Sequence, residues 1–224
     1  VSGNNIANNY RGILLYYSSQ NFIYHNNFID NAWEHVHLYE PSDNVWDDGY
    51  PSGGNYWSDY TGVDLYSGPY QNETGSDGIS DTPYVIDADN QDKYPLMGMF
   101  SDFPISSVVG YKLEEILHVT TISNSTIKGF EPSIIVWTET GDWVGGGISL
   151  YVTGSEGTKG FCRFTIPKGL LDCPEGLEAW TIEIIKMDMT DVTSLCNIWE
   201  NSTHTFIYVP YNHSTQEIRV SATW

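Results

Sequence analysis

Along the first forty residues the apolar positions come in short pairs set between asparagines. Phe22-Ile23 and Phe28-Ile29 stand among Asn21, Asn26, Asn27 and Asn31. The pattern repeats. Asn5-Ile6 is matched by Asn27-Phe28 at a spacing of 22, and "GILL" (Gly12 to Leu15) by "HVHL" (His35 to Leu38) at a spacing of 23. A repeat of that length, holding two or three strands of three or four residues with one or two inward aliphatics each, predicts the coil of a short parallel β-helix. Asparagine tolerates left-handed backbone and bonds neighbouring main-chain groups, so it suits the corners between such strands. Asparagines at equivalent corners are expected to lie over one another and hydrogen-bond along the stack. The alternative is a β-meander with polar turns, which would favour Asn-Gly or Asp-Gly pairs that this stretch lacks.

From residue 40 to residue 102 the pattern gives way to Gly, Asp, Tyr, Trp and Pro, as in "WDDGYPSGGNYWSDYTGVD" and "SDGISDTPYVIDADNQDKYPL". The segment is too long and aromatic for a passive linker and too rich in Gly and Pro for regular helix or sheet. It predicts a loop-rich, acidic cap that covers the open end of the coils, with Trp46, Tyr50, Tyr56, Trp57 and Tyr60 supplying apolar cover. Exposed Trp46 and Trp57 would instead offer platforms for stacking on sugars, although large rings more often find burial.

After Pro104 the strands lengthen and alternate. In "GISLYVTG", Ile148, Leu150 and Val152 fall on one side and Ser149, Tyr151 and Thr153 on the other, the period of a half-buried strand. Similar runs at Leu117–Ile122, Ser133–Thr138, Gly160–Ile166, Trp180–Met187, Thr205–Val209 and Glu217–Thr223 predict an antiparallel, immunoglobulin-like β-sandwich. "KGLLD" (Lys168 to Asp172) predicts one short turn. The expected fold is all-β, with residues 1–103 as coils plus cap and residues 104–224 as sandwich. The chain starts inside what reads as a repeat, so Val1 is expected to be a processing boundary.

Charge narrows the partners. Asp plus Glu number 29 against nine Lys plus Arg, a formal balance of −20. Phosphate binding needs clustered cations, so nucleic acid is a poor partner. No run reaches the ~20 apolar residues of a membrane span.

The acidic loops carry the clearest candidate chemistry. Asp77 and Asp81 flank the Ile79 carbonyl in "SDGISD", Asp87, Asp89 and Asp92 crowd "DADNQD", and Asp59 and Asp64 precede them. Hard cations take six to eight oxygens from such groups, so the expectation is a calcium-stabilised segment; Lys93 is the only basic residue between Glu34 and Asp102. Neither run has the EF-hand spacing, and Asp also caps turns without any metal. His35 and His37, at i and i+2, lie on one strand face, an arrangement more often decoration than a metal site. Arg11, Asp30 and Glu34 are too few for the paired-carboxylate groove of a polysaccharide-acting enzyme, and no nucleophile elbow is present. No catalytic residue is assigned.

Sequons at Asn72, Asn124, Asn201 and Asn212 point to a secreted glycoprotein. Three cysteines allow one bridge, for which Cys173 with Cys196 is the preferred pair, and leave an odd thiol.

The run "GILLYYSSQNFIYHNNFIDN", the later "GNYWSDY", "DGISDTPY" and "DKYPL" resemble the NosD-type parallel β-helix repeat proteins, in the form abundant on archaeal cell surfaces, over roughly residues 4 to 97. "ISNSTI", "GTKGFCRFTIPKGLL" and "THTFIYVPYNHSTQEIRV" resemble the sandwich domain that often follows such repeats in secreted archaeal proteins. The family name belongs to a periplasmic factor in copper-enzyme maturation, a role that does not carry over, because this chain has fewer coils and no copper-ligand set. The expected function is a non-enzymatic, extracellular structural subunit of a surface fibre, sheath or matrix, assembling as a homo-oligomer or filament. The alternative is a carbohydrate-binding or carbohydrate-active module with cell-surface glycans as partners.

Overall fold

The computed structural model describes residues 1–39, 43–109, 112–133, 145–171, 176–185 and 189–223. The chain is all-β and divides into two compact units, Val1–Ser101 and Asp102–Trp224.

The first unit is built by stacking. Strands β1 (Asn5–Ala7) and β2 (Arg11–Tyr16) are followed by β3 (Asn27–Ile29) and β4 (Glu34–Tyr39), and then by β5 (Tyr56–Trp57). β1 pairs parallel with β3 in the register Asn5↔Asn27, Ile6↔Phe28. β2 pairs parallel with β4 through Ile13↔Val36 and Leu15↔Leu38. These are the offsets of 22 and 23 read from the sequence. β3 then pairs parallel with β5 as Asn27↔Tyr56 and Phe28↔Trp57, an offset lengthened by the segment leading to Tyr56.

Small strands alone cannot hold such a stack, and the core does. Ile23, Phe28, Trp46 and Trp57 are buried together, with Ile6, Ile13, Leu15, Val36 and Leu38 packed against them. Phe28, Trp57 and Tyr84 form a continuous ring stack, with centroids 4.3 and 4.2 Å apart and planes within 7°. Trp46 and Trp57 are 0% and 1% exposed. That corrects the reading of these two rings as sugar platforms, because neither has a free face. Beyond β5 the chain makes two hairpins, β6 (Tyr66–Ser67) with β7 (Glu73–Thr74) and β8 (Tyr84–Val85) with β9 (Gln91–Asp92).

The second unit takes β10 (Met99–Val109) from Asp102 onward and contains β11 (Lys112–Ser123), β12 (Thr126–Ser133), β13 (Gly145–Thr153), β14 (Lys159–Pro167), β15 (Trp180–Ile185), β16 (Met189–Asp191), β17 (Asn197–Glu200), β18 (His204–Asn212) and β19 (Gln216–Thr223). They form two five-stranded sheets, ordered β10-β11-β14-β18-β17 and β12-β13-β19-β15-β16. One core draws on both: Val119, Phe164, Ile166, Ile207 and Val209 from the first, and Ile148, Leu150, Ile182, Ile218 and Val220 from the second. The alternation read in residues 148–153 is the register that buries Ile148, Leu150 and Val152.

Three readings shift. Pro104 lies inside β10, so that strand begins earlier than the composition change suggests. β12 was not anticipated, because Gly129 and Pro132 interrupt its pattern; a register shift between Ile127 and Gly129 leaves Lys128 without a register partner and lets Gly129 pair with Tyr151 of β13. Most of the strand expected at Ser133–Thr138 lies outside the described residues. The turn expected at Lys168 is present, closed by the Leu170 N–H on the Pro167 carbonyl at 2.9 Å.

Candidate functional site

The asparagines of the first unit form ladders along the stack. The main-chain N–H and the Nδ2 of Asn4 both donate to Asn26 Oδ1, at 3.3 and 3.0 Å. Asn26 makes the same two bonds to Asn55 Oδ1, each 3.1 Å. Asn9 does so to Asn31 (3.0 and 3.2 Å), and Asn21 to Asn44 (3.0 and 2.8 Å). In all four cases one side-chain oxygen receives both donors of the asparagine one rung earlier. A separate pair, Asn5 and Asn27, runs in the opposite sense, with Asn27 Nδ2 donating to Asn5 Oδ1 at 2.7 Å.

Backbone geometry explains the aim of these side chains. Gly3, Asn8, Gln20, His25 and Asp30 have φ of 71, 57, 61, 56 and 47°, and each directly precedes a ladder asparagine. A left-handed residue turns the chain sharply, which sets the next side chain along the stack rather than across it. The left-handed corner is therefore taken mostly by the neighbour, and the asparagine supplies the axial bond.

Two ladders terminate on aspartates. The Asn55 N–H donates to Asp92 Oδ2 at 2.7 Å, where Trp57 Nε1 also donates at 2.9 Å, while Tyr94 N–H donates to Oδ1 at 3.1 Å. Asn44 N–H and Trp46 Nε1 donate to Asn90 Oδ1 at 3.0 and 3.1 Å. Asn90 in turn donates its N–H and Nδ2 to Asp87 Oδ1 at 2.8 and 2.9 Å. A carboxylate only accepts, so it closes a chain of donors without adding one. Asp92 is fully buried, and burial pushes its carboxyl up to about 7 against the pull of its three N–H donors.

Three other candidate ligands, Asp64, Asp77 and Asp81, also receive main-chain donors. Asp64 receives the N–H groups of Asp77 and Gly78 at 3.0 and 2.8 Å, and burial raises it to about 7. Asp81 receives those of Leu65 and Tyr66. Together they clasp the base of the β6–β7 excursion. Asp77 accepts from Ile79 N–H at 3.0 Å, and buried Ile79 bridges to Leu96. Asp89 is exposed, with its N–H on Asp87. Asp59 faces His35 and the Tyr84 hydroxyl. Among the described residues no three His, Cys, Asp or Glu side chains are placed to hold a metal ion. Asp64, Asp77, Asp81, Asp87 and Asp92 act as caps on main-chain N–H groups, whereas Asp59 meets only side chains and the Asp89 carboxylate is exposed.

The histidines diverge. His35 is buried, with Nδ1 3.0 Å from Asn31 Nδ2 and Nε2 3.2 Å from Asp59 Oδ1. Asn31 Oδ1 is taken by Asn9, so its amide nitrogen faces the ring; Nδ1 must accept, and the proton sits on Nε2. Burial lowers its pKa and keeps it neutral. His37 instead meets Glu34 Oε1 at 2.6 Å, which Arg11 Nε also reaches at 2.7 Å. Asp30 sits at a corner with its N–H on Ser58 Oγ.

Beside this chain of charges lies an exposed aromatic row. Tyr10, Tyr16, Tyr17 and Trp33 are 62 to 67% exposed, and Leu14 is 50% exposed. Tyr10 stacks on Trp33 at 5.7 Å just before β2 and β4 begin, and Tyr16 meets its register partner Tyr39 at 5.6 Å at their far ends. The 23-residue repeat itself could have revealed this row, because it places outward aromatics on successive rungs.

All four sequon asparagines are exposed; Asn72 and Asn201 lie at hairpin turns, and Asn124 and Asn212 also line one concavity of about 470 Å³ with Lys159, Gly160 and Tyr208. Cys162 is buried in the core, and Cys196 donates its thiol to the Val192 carbonyl at 3.3 Å. Cys173 lies outside the described residues, and with it the preferred bridge.

A family model described as NosD, periplasmic copper-binding protein, matches residues 1–62. That region contains the three stacked rungs and supports a NosD-type relationship at the coarse level. No curated protein and no solved structure matches the chain. Among the described residues no group of ligands is assembled for the copper of the family's description, and His35 and His37 meet different partners. No helix among the described residues is long and apolar enough to cross a membrane.

Proposed function

We propose that this chain is a non-enzymatic structural protein of the cell exterior, and that it assembles with further copies of itself into a fibre, sheath or matrix. The observation that carries the proposal is the aromatic row on β2 and β4. Six large side chains, Tyr10, Leu14, Tyr16, Tyr17, Trp33 and Tyr39, are 41 to 67% exposed on two adjacent rungs. A contiguous apolar face of this kind marks an interaction surface rather than scattered exposure. The architecture we assign is a short parallel β-helix, closed by an acidic loop cap and followed by an immunoglobulin-like sandwich. Parallel ladders at offsets of 22 and 23 and two antiparallel sheets over one core support it. A periplasmic family description and sequons in exposed turns support an exported location.

Light scattering with size separation tests the assembly. The parent chain is expected to form multimers whose mass grows with concentration, and the double change Tyr16→Ser with Trp33→Ser to return it to monomer. A parent chain that stays monomeric at every concentration removes the proposal.

A second reading rests on the same row. Tyr10 and Trp33, flanked by Arg11 and Glu34, combine apolar rings with hydrogen-bonding groups, which suits a sugar surface. Glycan-array binding abolished by Trp33→Ala, with the parent monomeric, selects it.

A further inference from the structure

We propose that Asn201 is an N-glycan acceptor and that Asn124, which carries the same sequence signature, is not. The proposal rests on the exported location in the reading above, and its geometry stands apart from it.

Asn201 occupies the tip of the hairpin joining β17 to β18. Its Oδ1 receives the Thr203 N–H at 2.9 Å, the Thr203 hydroxyl at 3.1 Å and the His204 N–H at 2.8 Å. Its own N–H closes the turn on the His204 carbonyl at 3.0 Å. All three residues of the sequon are exposed. Every bond to the side chain falls on the oxygen, so among the described residues Nδ2 has no partner and faces solvent. The fold has also drawn the sequon's hydroxyl onto the acceptor amide. Donors on the amide oxygen draw charge from the nitrogen and make its protons more acidic, which favours their removal in transfer.

Asn124 has the opposite arrangement. Its Nδ2 donates to the Lys159 carbonyl at 3.1 Å and its Oδ1 receives the Phe161 N–H at 2.9 Å, so both ends of the amide are held against β14. Thr126, which would supply the sequon hydroxyl, begins β12 and is paired with Thr153. At Asn212 the oxygen also takes a donor, Lys159 Nζ at 2.8 Å, but the sequon hydroxyl of Ser214 turns away to Gln216 rather than onto the amide. Asn72 is exposed, but Thr74 is fixed in β7.

The co-reactant is a sugar carried on a lipid phosphate or pyrophosphate. Nδ2 of Asn201 attacks the anomeric carbon, and the new N–C bond forms as the C–O bond to phosphate breaks. The leaving phosphate takes the electron pair, and a base of the transferase takes one amide proton.

The test offers purified, folded chain to an oligosaccharyltransferase with its lipid-linked oligosaccharide, beside synthetic peptides that carry each sequon. Glycopeptide mass spectrometry reads occupancy. Both peptides are expected to be modified, which also shows the enzyme to be active. In the folded chain Asn201 is expected to gain the glycan mass and Asn124 to stay bare. Asn201→Gln and Thr203→Val each remove the mass shift at that site, with the near-ultraviolet circular dichroism of the parent. A folded chain left bare at Asn201 while its peptide is modified overturns the proposal, as does equal modification of Asn124 in chain and peptide. Should fractionation of the source cells place the native protein inside the cell, the exported location fails and the acceptor geometry stands.

Discussion

The Asn55 N–H donates to Asp92 Oδ2 at 2.7 Å, so a ladder of amides that begins at Asn4 ends on a carboxylate. The same logic closes the second ladder at Asp87. Aspartates that read as cation ligands in the sequence thus also serve as acceptors within the fold. They supply acceptors where a row of donors has no further rung to meet.

Replacing Asp92 with Asn puts an amide NH2 among three N–H donors. At least one bond is lost and a donor is left buried without a partner, which costs about 1–3 kcal/mol. Chemical denaturation followed by tryptophan fluorescence measures it, and a loss below the error of the method would show that Asp92 does not close the ladder.

Position along the ladder sets the cost of breaking it. Asn26 is buried and bonds to rungs on both sides, whereas Asn4 is exposed and bonds on one. Asn26→Ala is expected to destabilise by about 2–4 kcal/mol, as several buried groups lose partners, and Asn4→Ala by about 1 kcal/mol or less. Equal costs would contradict an axial network.

Among the described residues the tryptophans of the first unit separate by burial, with Trp46 and Trp57 enclosed and Trp33 exposed. Trp57→Ala removes the middle of a three-ring stack and is expected to cost about 3–5 kcal/mol. Trp33→Ala, on the exposed row, is expected to change stability by about 0.5 kcal/mol or less. Iodide quenching of the parent should fall on Trp33→Phe and stay unchanged on Trp46→Phe.

Two groups of side chains give the first unit opposed responses to pH. His35 has a folded pKa below its unfolded value of roughly 6.5, so its contribution is present above that pH and is lost as pH falls through it. Asp64 and Asp92 have folded values raised from 3.8 to about 7, so the stability they lend is greatest in acid and is lost as pH rises from 3.8 to about 7. Denaturation between pH 5 and pH 8 should show the parent losing ground to His35→Gln on the acid side. Relative to Asp92→Asn, the parent should weaken as pH rises to about 7 and then level off. The reverse slopes would refute these assignments.

Calcium is a direct test of the caps. With Asp64, Asp77, Asp81, Asp87 and Asp92 on main-chain donors, the melting temperature should be the same in EDTA as in millimolar calcium. A rise of several degrees in calcium would favour the cation reading for Asp59, Asp64, Asp77, Ile79, Asp81, Asp87, Asp89 and Asp92.

Much of the parallel pairing in the first unit was legible because stacking imposes an offset that the chain cannot hide. Ile6 over Phe28 and Leu15 over Leu38 are readable as a repeat, and so is the axial bonding of asparagines. The third rung was not legible, since its offset is stretched by a segment without repeat character. Nor could composition decide the fate of aromatic rings: Trp57 and Trp33 are the same residue in similar polar surroundings, one fully enclosed and the other bare. Burial depends on which rung a ring meets. β12 escaped notice because local propensity at Gly129 and Pro132 opposes a strand that its partner β13 imposes.

The shared direction of the three donor ladders gives the stack a grain. A coil added in the same sense would present an oxygen to the donors before it and donors to the oxygen after it, so the network can lengthen one repeat at a time at little cost. A coil inserted backwards would set amide against amide and oxygen against oxygen at every corner. The count of coils is thus free to vary by duplication, and their heading is fixed by a handful of amides.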